Sequence, residues 1–252
     1  MRRWLIIWSL LFVVISCTQQ NSDNQGEKQL QNMSDSLPDG KYTEHYPSGE
    51  MKMQGLMLND RRNGLWRSYN EQGKVTKAEY YYKGEIVTSV DASDFELQYV
   101  IANGKDFSIK LPASWATKKD FKEAIILAVK PLPDNQVFSP TISIVRTEIP
   151  QDISFNQFLA LNIKDLQTAY QEFKVKEEKH DTIADKQVYE IMYFVRAGEQ
   201  KLGVLSAYFN LENESYIITC IAEGKGEEFV KYKDLFREII RTSSFSRENY
   251  PS

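Results

Sequence analysis

The sequence predicts an α+β fold, in which an antiparallel sheet is sandwiched by helices and a small all-β module of repeated hairpins precedes it. Three observations predict this. Strand-like runs in the second half of the chain are joined by hairpin-length turns, which favours antiparallel pairing. Two segments place apolar residues at helical spacing. Residues 40–90 repeat at an offset of 24 residues, which is typical of stacked supersecondary units.

Residues 1–16, the first element in chain order, are typical of a signal peptide. Two arginines precede an apolar run from Trp4 to Ile15, which is shorter than the roughly 20 residues of a membrane-spanning helix. The run ends in Ser16 and Cys17, and this ending resembles the lipobox of bacterial lipoproteins. The resemblance implies cleavage between Ser16 and Cys17 and acylation of Cys17, with palmitate among the chains. Thr18 favours the outer membrane by analogy. The alternative is a chance cysteine near an ordinary cleavage site.

Residues 17–39 join this cysteine to the rest of the chain and have few apolar side chains. Such a segment cannot bury enough surface to offset its ordering entropy, so we expect a disordered tether. Within it, Asp35-Ser36-Leu37 resembles the O-glycosylation acceptor motif of Bacteroidetes, which implies modification at Ser36. Asp181-Thr182-Ile183 matches the same motif.

Residues 40–90 are two similar units, each a strand, a turn and a second strand. Gly40 aligns with Gly64 and Gly49 with Gly73, and the second unit resembles the MORN repeat variant family. Alternation places one row of side chains inside the sheet and the other outside. We assign Trp66, Tyr80 and Tyr82 to the inside row. The assignment of Tyr81 to core or surface is left open, because Tyr81 lies on the opposite face from Tyr80 and Tyr82. The candidate partner surface is Tyr81, Lys83 and Tyr69.

Residues 91–246 alternate between strand and helix patterns. Asn103-Gly104 predicts a hairpin between Phe95–Ile101 and Asp106–Leu111. A helix after Pro150 starts with a capping box of Ser154 and Gln157, and its apolar face is predicted to extend to Phe173. Further predicted strands cover 124–130, 141–148, 174–180, 187–197, 201–211 and 215–222, a last helix covers 227–241, and residues 247–252 form a tail.

This second domain is similar to the PsbP-like and DcrB-like proteins. The similarity is carried by Phe107–Pro112 with Trp115, by the helix after Pro150, and by the run that ends in Cys220. It implies an antiparallel sheet sandwiched by helices. It also implies a non-catalytic accessory or binding role, because most such proteins are accessory subunits or binding modules.

The residue types that carry catalysis are sparse in this sequence. His45 is expected in a repeat strand and His180 in a solvated edge strand, while Cys220 is expected to be a buried hydrophobe. No nucleophile–base pair, metal set or phosphate loop is recognisable, so we expect no catalytic residue, metal or cofactor. The net charge of −4 makes nucleic acid a poor partner.

The sequence therefore predicts a lipid-anchored, non-catalytic protein of the cell envelope that binds an envelope protein partner. Two alternatives remain open. One is an enzyme or small-ligand-binding protein whose site the sequence does not reveal. The other is an antitoxin-like protein of the MORN-variant type. The oligomeric state, the partner's identity and the face of the membrane are open as well.

Overall fold

The computed structural model describes residues 39–104, 106–131, 138–224 and 228–245. The described chain divides into two compact units, here called the hairpin unit (residues 39–90) and the α+β unit (residues 91–245). The predicted signal peptide 1–16, the tether residues up to 38, and the tail 247–252 lie outside the described residues. Ser16, Cys17 and Ser36 therefore remain sequence predictions.

The hairpin unit is one antiparallel sheet of five strands in sequential order. The strands are β1 (Gly40–His45), β2 (Met51–Leu58), β3 (Arg61–Tyr69), β4 (Val75–Tyr82) and β5 (Glu85–Val90). In the turn of the first hairpin, the Gly49 amide donates to the Tyr46 carbonyl at 2.9 Å. The Gly73 amide donates to the Asn70 carbonyl at the same distance, 24 residues further on. The sequence repeat is therefore a structural repeat, and β5 extends it by one strand.

The α+β unit contains a sheet of seven strands and a sheet of three. The larger sheet has the order β11-β12-β13-β14-β10-β9-β8, and the smaller has the order β15-β7-β6. All of their pairings are antiparallel. The strands are β6 (Leu97–Ile101), β7 (Phe107–Pro112), β8 (Ala116–Phe121), β9 (Ala124–Val129), β10 (Thr141–Glu148), β11 (Gln171–Ile183), β12 (Lys186–Ala197), β13 (Gln200–Leu211), β14 (Glu214–Glu223) and β15 (Ser244–Phe245).

Helices cover both faces of the seven-stranded sheet. Phe158 and Leu159 of α1 (Phe155–Ala169) belong to one apolar cluster, with Tyr208 of β13. Phe229 and other residues of α2 (Glu228–Arg241) belong to a second cluster, with Phe209 of the same strand. Because neighbouring residues of a strand point to opposite faces, the two clusters lie on opposite sides of the sheet. The predicted α+β fold with a sheet sandwiched by helices is confirmed.

Two elements differ from the sequence prediction. Strand β8 was not predicted, because five of its six residues are exposed and its charged sequence lacks apolar alternation; pairing with β9 forms it. Helix α1 has the predicted capping box but ends at Ala169, so Phe173 lies in β11. Although the helical spacing of apolar residues continues to Phe173, strand propensity and pairing with β12 make this segment a strand.

Gly203 on β13 sets how closely α2 approaches the sheet. A Cβ built on Gly203 would lie 2.3 Å from the ring of Phe229, which is 1% exposed. We expect Gly203→Ala to lower the free energy of unfolding by about 1–3 kcal/mol, because α2 has to shift. Urea denaturation measures this. Lys201→Ala, at the exposed start of the same strand, should stay within about 0.5 kcal/mol of the parent. An unchanged midpoint for Gly203→Ala would contradict this packing.

Candidate functional site

The inner face of the hairpin sheet is built around Trp66. Its side chain packs with Met57 and Tyr81 in one buried cluster, and its Nε1 donates to the Leu56 carbonyl at 3.1 Å. The guanidinium of Arg62 lies 4.3 Å from the Trp66 ring centre and donates to the Tyr81 hydroxyl at 3.0 Å. This face is therefore the core of the hairpin unit.

The prediction that Tyr80 and Tyr82 of β4 lie inside the sheet and that Tyr81 is a partner residue is wrong. Tyr81, a candidate partner residue, is 7% exposed, whereas Tyr82, assigned to the core, is 57% exposed. The reason is the strand register, in which Trp66 lies opposite Glu79. Directly opposed residues share a face, so Trp66 shares its face with Glu79 and Tyr81 rather than with Tyr80 and Tyr82.

The other two predicted surface residues have different environments. Lys83 is exposed, and its Nζ lies 5.2 Å from the centre of the Tyr82 ring. Tyr69 is half-buried: its hydroxyl accepts from Gln54 Nε2, and its carbonyl accepts from the Tyr46 hydroxyl at 2.7 Å. Tyr69 thus connects the two hairpins, while Lys83 remains a surface candidate.

Three exposed apolar side chains lie together on the outer face of the hairpin sheet. Leu56 is 39% exposed, Leu58 is 43% exposed and Tyr82 is 57% exposed. Leu56 pairs with Asn63, and the register of β3 with β4 brings Tyr82 to the other side of Asn63. We call Leu56, Leu58 and Tyr82 the outer row. These exposed apolar side chains share one face of the sheet, with Asn63 between Leu56 and Tyr82.

A polar cleft of about 530 Å³ lies at one end of the α+β unit. Arg146 on β10 is its centre: Nε and Nη2 donate to Glu214 at 3.0 and 2.6 Å, and Nη1 donates to Asp106 at 2.8 Å. The Tyr216 hydroxyl donates to the same Asp106 oxygen at 2.8 Å. Asp185 and Glu212, from two hairpin turns, also line the cleft, as do Lys186, Gln187 and Asn210.

The polar groups of this cleft stabilise one another's resting charge states. The hydrogen bonds that Arg146 donates to Glu214 raise the pKa of Arg146, which keeps the guanidinium charged. Burial is the main cause that raises the pKa of Tyr216 well above its usual value, and the hydrogen bond to Asp106 is the second. The phenol therefore stays protonated. The arrangement is a closed ion-pair network. No pattern in the sequence predicts this network, because Tyr216 and Asp106 are 110 positions apart and carry no common motif.

The histidines and Cys220 occupy structural positions. His180 is exposed on the edge strand β11, 5.2 Å from the Tyr189 ring, as expected of a solvated edge. His45 is exposed at the end of β1. Cys220 is fully buried, and burial raises the pKa of its thiol, which confirms the prediction of a small core residue. Thr182, in the second match to the glycosylation motif, is exposed on β11.

The described residues contain no group of three or more His, Cys, Asp or Glu side chains placed to hold a metal ion. Within the same ranges, neither α1 nor α2 has the length and apolar character needed to cross a membrane.

Comparison with known proteins gives low similarities. No family model and no curated protein matches the sequence. PsbP from the cyanobacterium Synechocystis is 11% identical with a TM-score of 0.46, over 64% of this chain and 99% of that one. LpqN of Mycobacterium tuberculosis, described as involved in cell envelope biogenesis, is 10% identical with a TM-score of 0.47, over 60% and 90%. A Bacteroides thetaiotaomicron protein is 15% identical with a TM-score of 0.43, over 61% and 51%.

Proposed function

We propose that this protein is a lipid-anchored, non-catalytic accessory protein of the cell envelope that binds an envelope protein through the outer row of its hairpin sheet. In this proposal Cys17 carries the lipid, and the polar residues after it connect the anchor to the hairpin unit. A protein held in this way meets partners at or near the membrane surface.

The observation that carries the proposal is the exposure of Leu56, Leu58 and Tyr82 on one face of the hairpin sheet. The other exposed large hydrophobic residues of the described ranges are Ile86, Tyr99 and Leu161, and the last two lie in the α+β unit. Tyrosine is enriched among the residues that dominate binding energy at protein interfaces. The outer row therefore has the composition of a small binding surface.

The cleft of the α+β unit supports the non-catalytic part of the proposal. Each donor-bearing nitrogen of Arg146 is engaged by a carboxylate, and Tyr216 is held protonated. A general base or nucleophile needs a group poised to give or take a proton near neutral pH. This network is instead arranged to hold β10, β14 and the start of β7 together.

Photo-crosslinking in intact cells tests the proposed surface. A photoreactive amino acid placed at Leu58 of the full-length protein is expected to give a discrete adduct with one envelope protein. Tyr82→Ser should reduce that adduct about tenfold, as expected for a central aromatic contact, and should leave the melting temperature nearly unchanged because Tyr82 is exposed.

The matched control is Tyr99→Ser. Tyr99 is 66% exposed and also has a lysine amine over its ring, with Lys110 Nζ at 4.7 Å. Equal loss of the adduct in the Tyr82 and Tyr99 variants would remove the outer row from consideration. Turnover of a substrate by the purified protein would overturn the non-catalytic assignment.

A further inference from the structure

Asn103 and Gly104 lie in the turn of a β-hairpin, and both are exposed. The turn connects β6 to β7, and the Ala102 amide closes it by donating to the Phe107 carbonyl at 2.9 Å. Among the described residues, no group accepts a hydrogen bond from the Gly104 amide. The backbone nitrogen of Gly104 is therefore outside the hydrogen-bond ladder that holds the two strands together.

The same dipeptide occurs once more in the sequence, in a different environment. Asn63 and Gly64 lie in β3, the middle strand of the hairpin sheet, where Asn63 pairs with Leu56 of β2 and Gly64 pairs with Tyr81 of β4. Both residues are half-buried. One Asn-Gly pair thus lies between two neighbouring strands, and the other lies in an exposed turn.

An asparagine followed by a glycine can react with its own backbone. The glycine nitrogen loses its proton and attacks the side-chain carbonyl carbon Cγ of the asparagine. A C–N bond forms, the bond from Cγ to Nδ2 breaks, and ammonia leaves with the proton. Water then opens the five-membered imide at one of its two carbonyls, which gives aspartate or isoaspartate. Glycine favours the first step, because it has no Cβ to hinder the approach of its nitrogen.

The fold treats the two Asn-Gly pairs differently. Ring closure requires the asparagine backbone and side chain to rotate until the glycine nitrogen meets Cγ. A turn outside the ladder can rotate in this way at little cost, since loops open at free energies near zero. Asn63 can do so only if β3 separates from its neighbours on both sides. The structure therefore leaves Asn103 accessible to this reaction and protects Asn63.

The Asn103 side chain also connects two sheets of the α+β unit. Its Nδ2 donates to Asp120 Oδ2 on β8, the edge strand of the seven-stranded sheet. Within the described ranges, the Asp120 carboxylate accepts no other side-chain hydrogen bond and forms no ion pair. Deamidation removes this donor and places a second carboxylate against Asp120. Like charges in such proximity repel each other.

We propose that Asn103 is a site of spontaneous deamidation, and that its conversion releases the β6–β7 turn from β8. The reaction takes water as its only co-reactant. It is independent of the proposed binding surface, because Asn103 and Asp120 both belong to the α+β unit. The contact between these two residues is therefore lost as the molecule ages.

Peptide mapping by mass spectrometry measures the reaction at both sites in one sample. The purified full-length protein is kept at physiological temperature and mildly alkaline pH, and aspartate and isoaspartate are quantified at each Asn-Gly site over time. We expect conversion at Asn103 to be at least about tenfold faster than at Asn63, because only Asn63 requires the sheet to open. In guanidinium chloride the two sites should react at similar rates, since the dipeptide is the same and the fold is lost.

Gly104→Ala tests the chemistry of the first step. Gly104 does not have a positive φ, so alanine can adopt its backbone conformation. The nearest atom to a Cβ built there is Asp106 Oδ1 at 3.0 Å, a side-chain oxygen that can move aside. Conversion at Asn103 should fall severalfold in this variant, because the added methyl group hinders the attacking nitrogen, and conversion at Asn63 should stay unchanged. Undiminished conversion at Asn103 would overturn the cyclic route.

Asn103→Asp reproduces one product and tests the consequence. Amides of β8 should exchange hydrogen faster than in the parent, while β12 to β14 keep their protection. Asn103→Ser, which removes the amide without adding a charge, should have a smaller effect. Equal conversion at Asn103 and Asn63 in the native protein would overturn the assignment of the site. Parent-like exchange of β8 in Asn103→Asp would overturn the release from β8.

Discussion

Replacing Asp94 with asparagine is expected to destabilise the α+β unit by about 3–5 kcal/mol. Asp94 is fully buried in a short 3-10 helix (Ala92–Phe95). Its carboxylate accepts from Trp115 Nε1 at 2.8 Å and lies 2.5 Å from Lys130 Nζ. The variant leaves the Lys130 ammonium, whose side chain is 14% exposed, without its principal counter-charge. An uncompensated charge at a largely buried site is among the most costly single changes a protein can undergo.

The pKa of Lys130 reflects the same contact. Burial lowers the pKa of this amine, but the hydrogen bond from Lys130 to Asp94 and the negative charge of Asp94 hold it above its ordinary value. Because the folded pKa is raised, the stability contributed by this ionisation is fully present at neutral pH. It is lost as the pH rises through the folded pKa, above about 10.5.

Urea denaturation of the parent and variant at neutral pH measures the loss. Asp91→Asn is the control, because Asp91 lies 3.6 Å from the same Lys130 amine but its side chain is 54% exposed. Its loss should be below about 1 kcal/mol. The double variant Asp94→Asn with Lys130→Met should recover part of the stability, since it removes the unpaired charge. Equal effects of Asp94→Asn and Asp91→Asn would contradict this interpretation.

The Asp94–Lys130 pair shows what the sequence could and could not predict. Most strands and both helices of the α+β unit follow from local patterns, and β10 was predicted with its observed limits because it is rich in β-branched residues and lies between Pro140 and Pro150. The ion pair joins residues 36 positions apart and leaves no periodic signal. The same holds for Arg146 and Glu214, which are 68 positions apart. Contacts of this kind depend on how the elements come together.

The prediction of which tyrosines of β4 lie inside the sheet was wrong for a different reason. The strand itself, the turn before it and the repeat were all predicted from the sequence. The alternation of Tyr80, Tyr81 and Tyr82 was also right, but the pattern does not fix which face is inside. That choice depends on the register with β3, and a shift of one residue moves every side chain to the other face. The sequence therefore assigned the exposed position to Tyr81, whereas the exposed tyrosine is Tyr82.

Trp66→Ala is expected to unfold the hairpin unit while the α+β unit stays folded. Trp66 is 3% exposed and packs with Tyr42 and Tyr81, at ring-centre distances of 5.3 and 6.2 Å. A Cβ built on Gly55 would lie 2.3 Å from the indole, so the ring rests directly on the backbone of β2. Removing a buried tryptophan costs about 3–5 kcal/mol, which is as much as a core of this size usually supplies.

Hydrogen exchange resolved along the chain measures this effect, because it reports on each unit separately. In Trp66→Ala, amides of β2, β3 and β4 should exchange at rates close to those of an unfolded chain, while β12 to β14 keep their protection. Tyr82→Ser, on the opposite face of the same sheet, should leave the exchange of both units unchanged, since Tyr82 is 57% exposed. The two variants thus separate the interior of the sheet from its proposed binding surface. Loss of adduct in Trp66→Ala would follow from unfolding, whereas loss in Tyr82→Ser would occur on a folded sheet. Retained protection of β3 in Trp66→Ala would show that the aromatic cluster is not what holds the hairpins together.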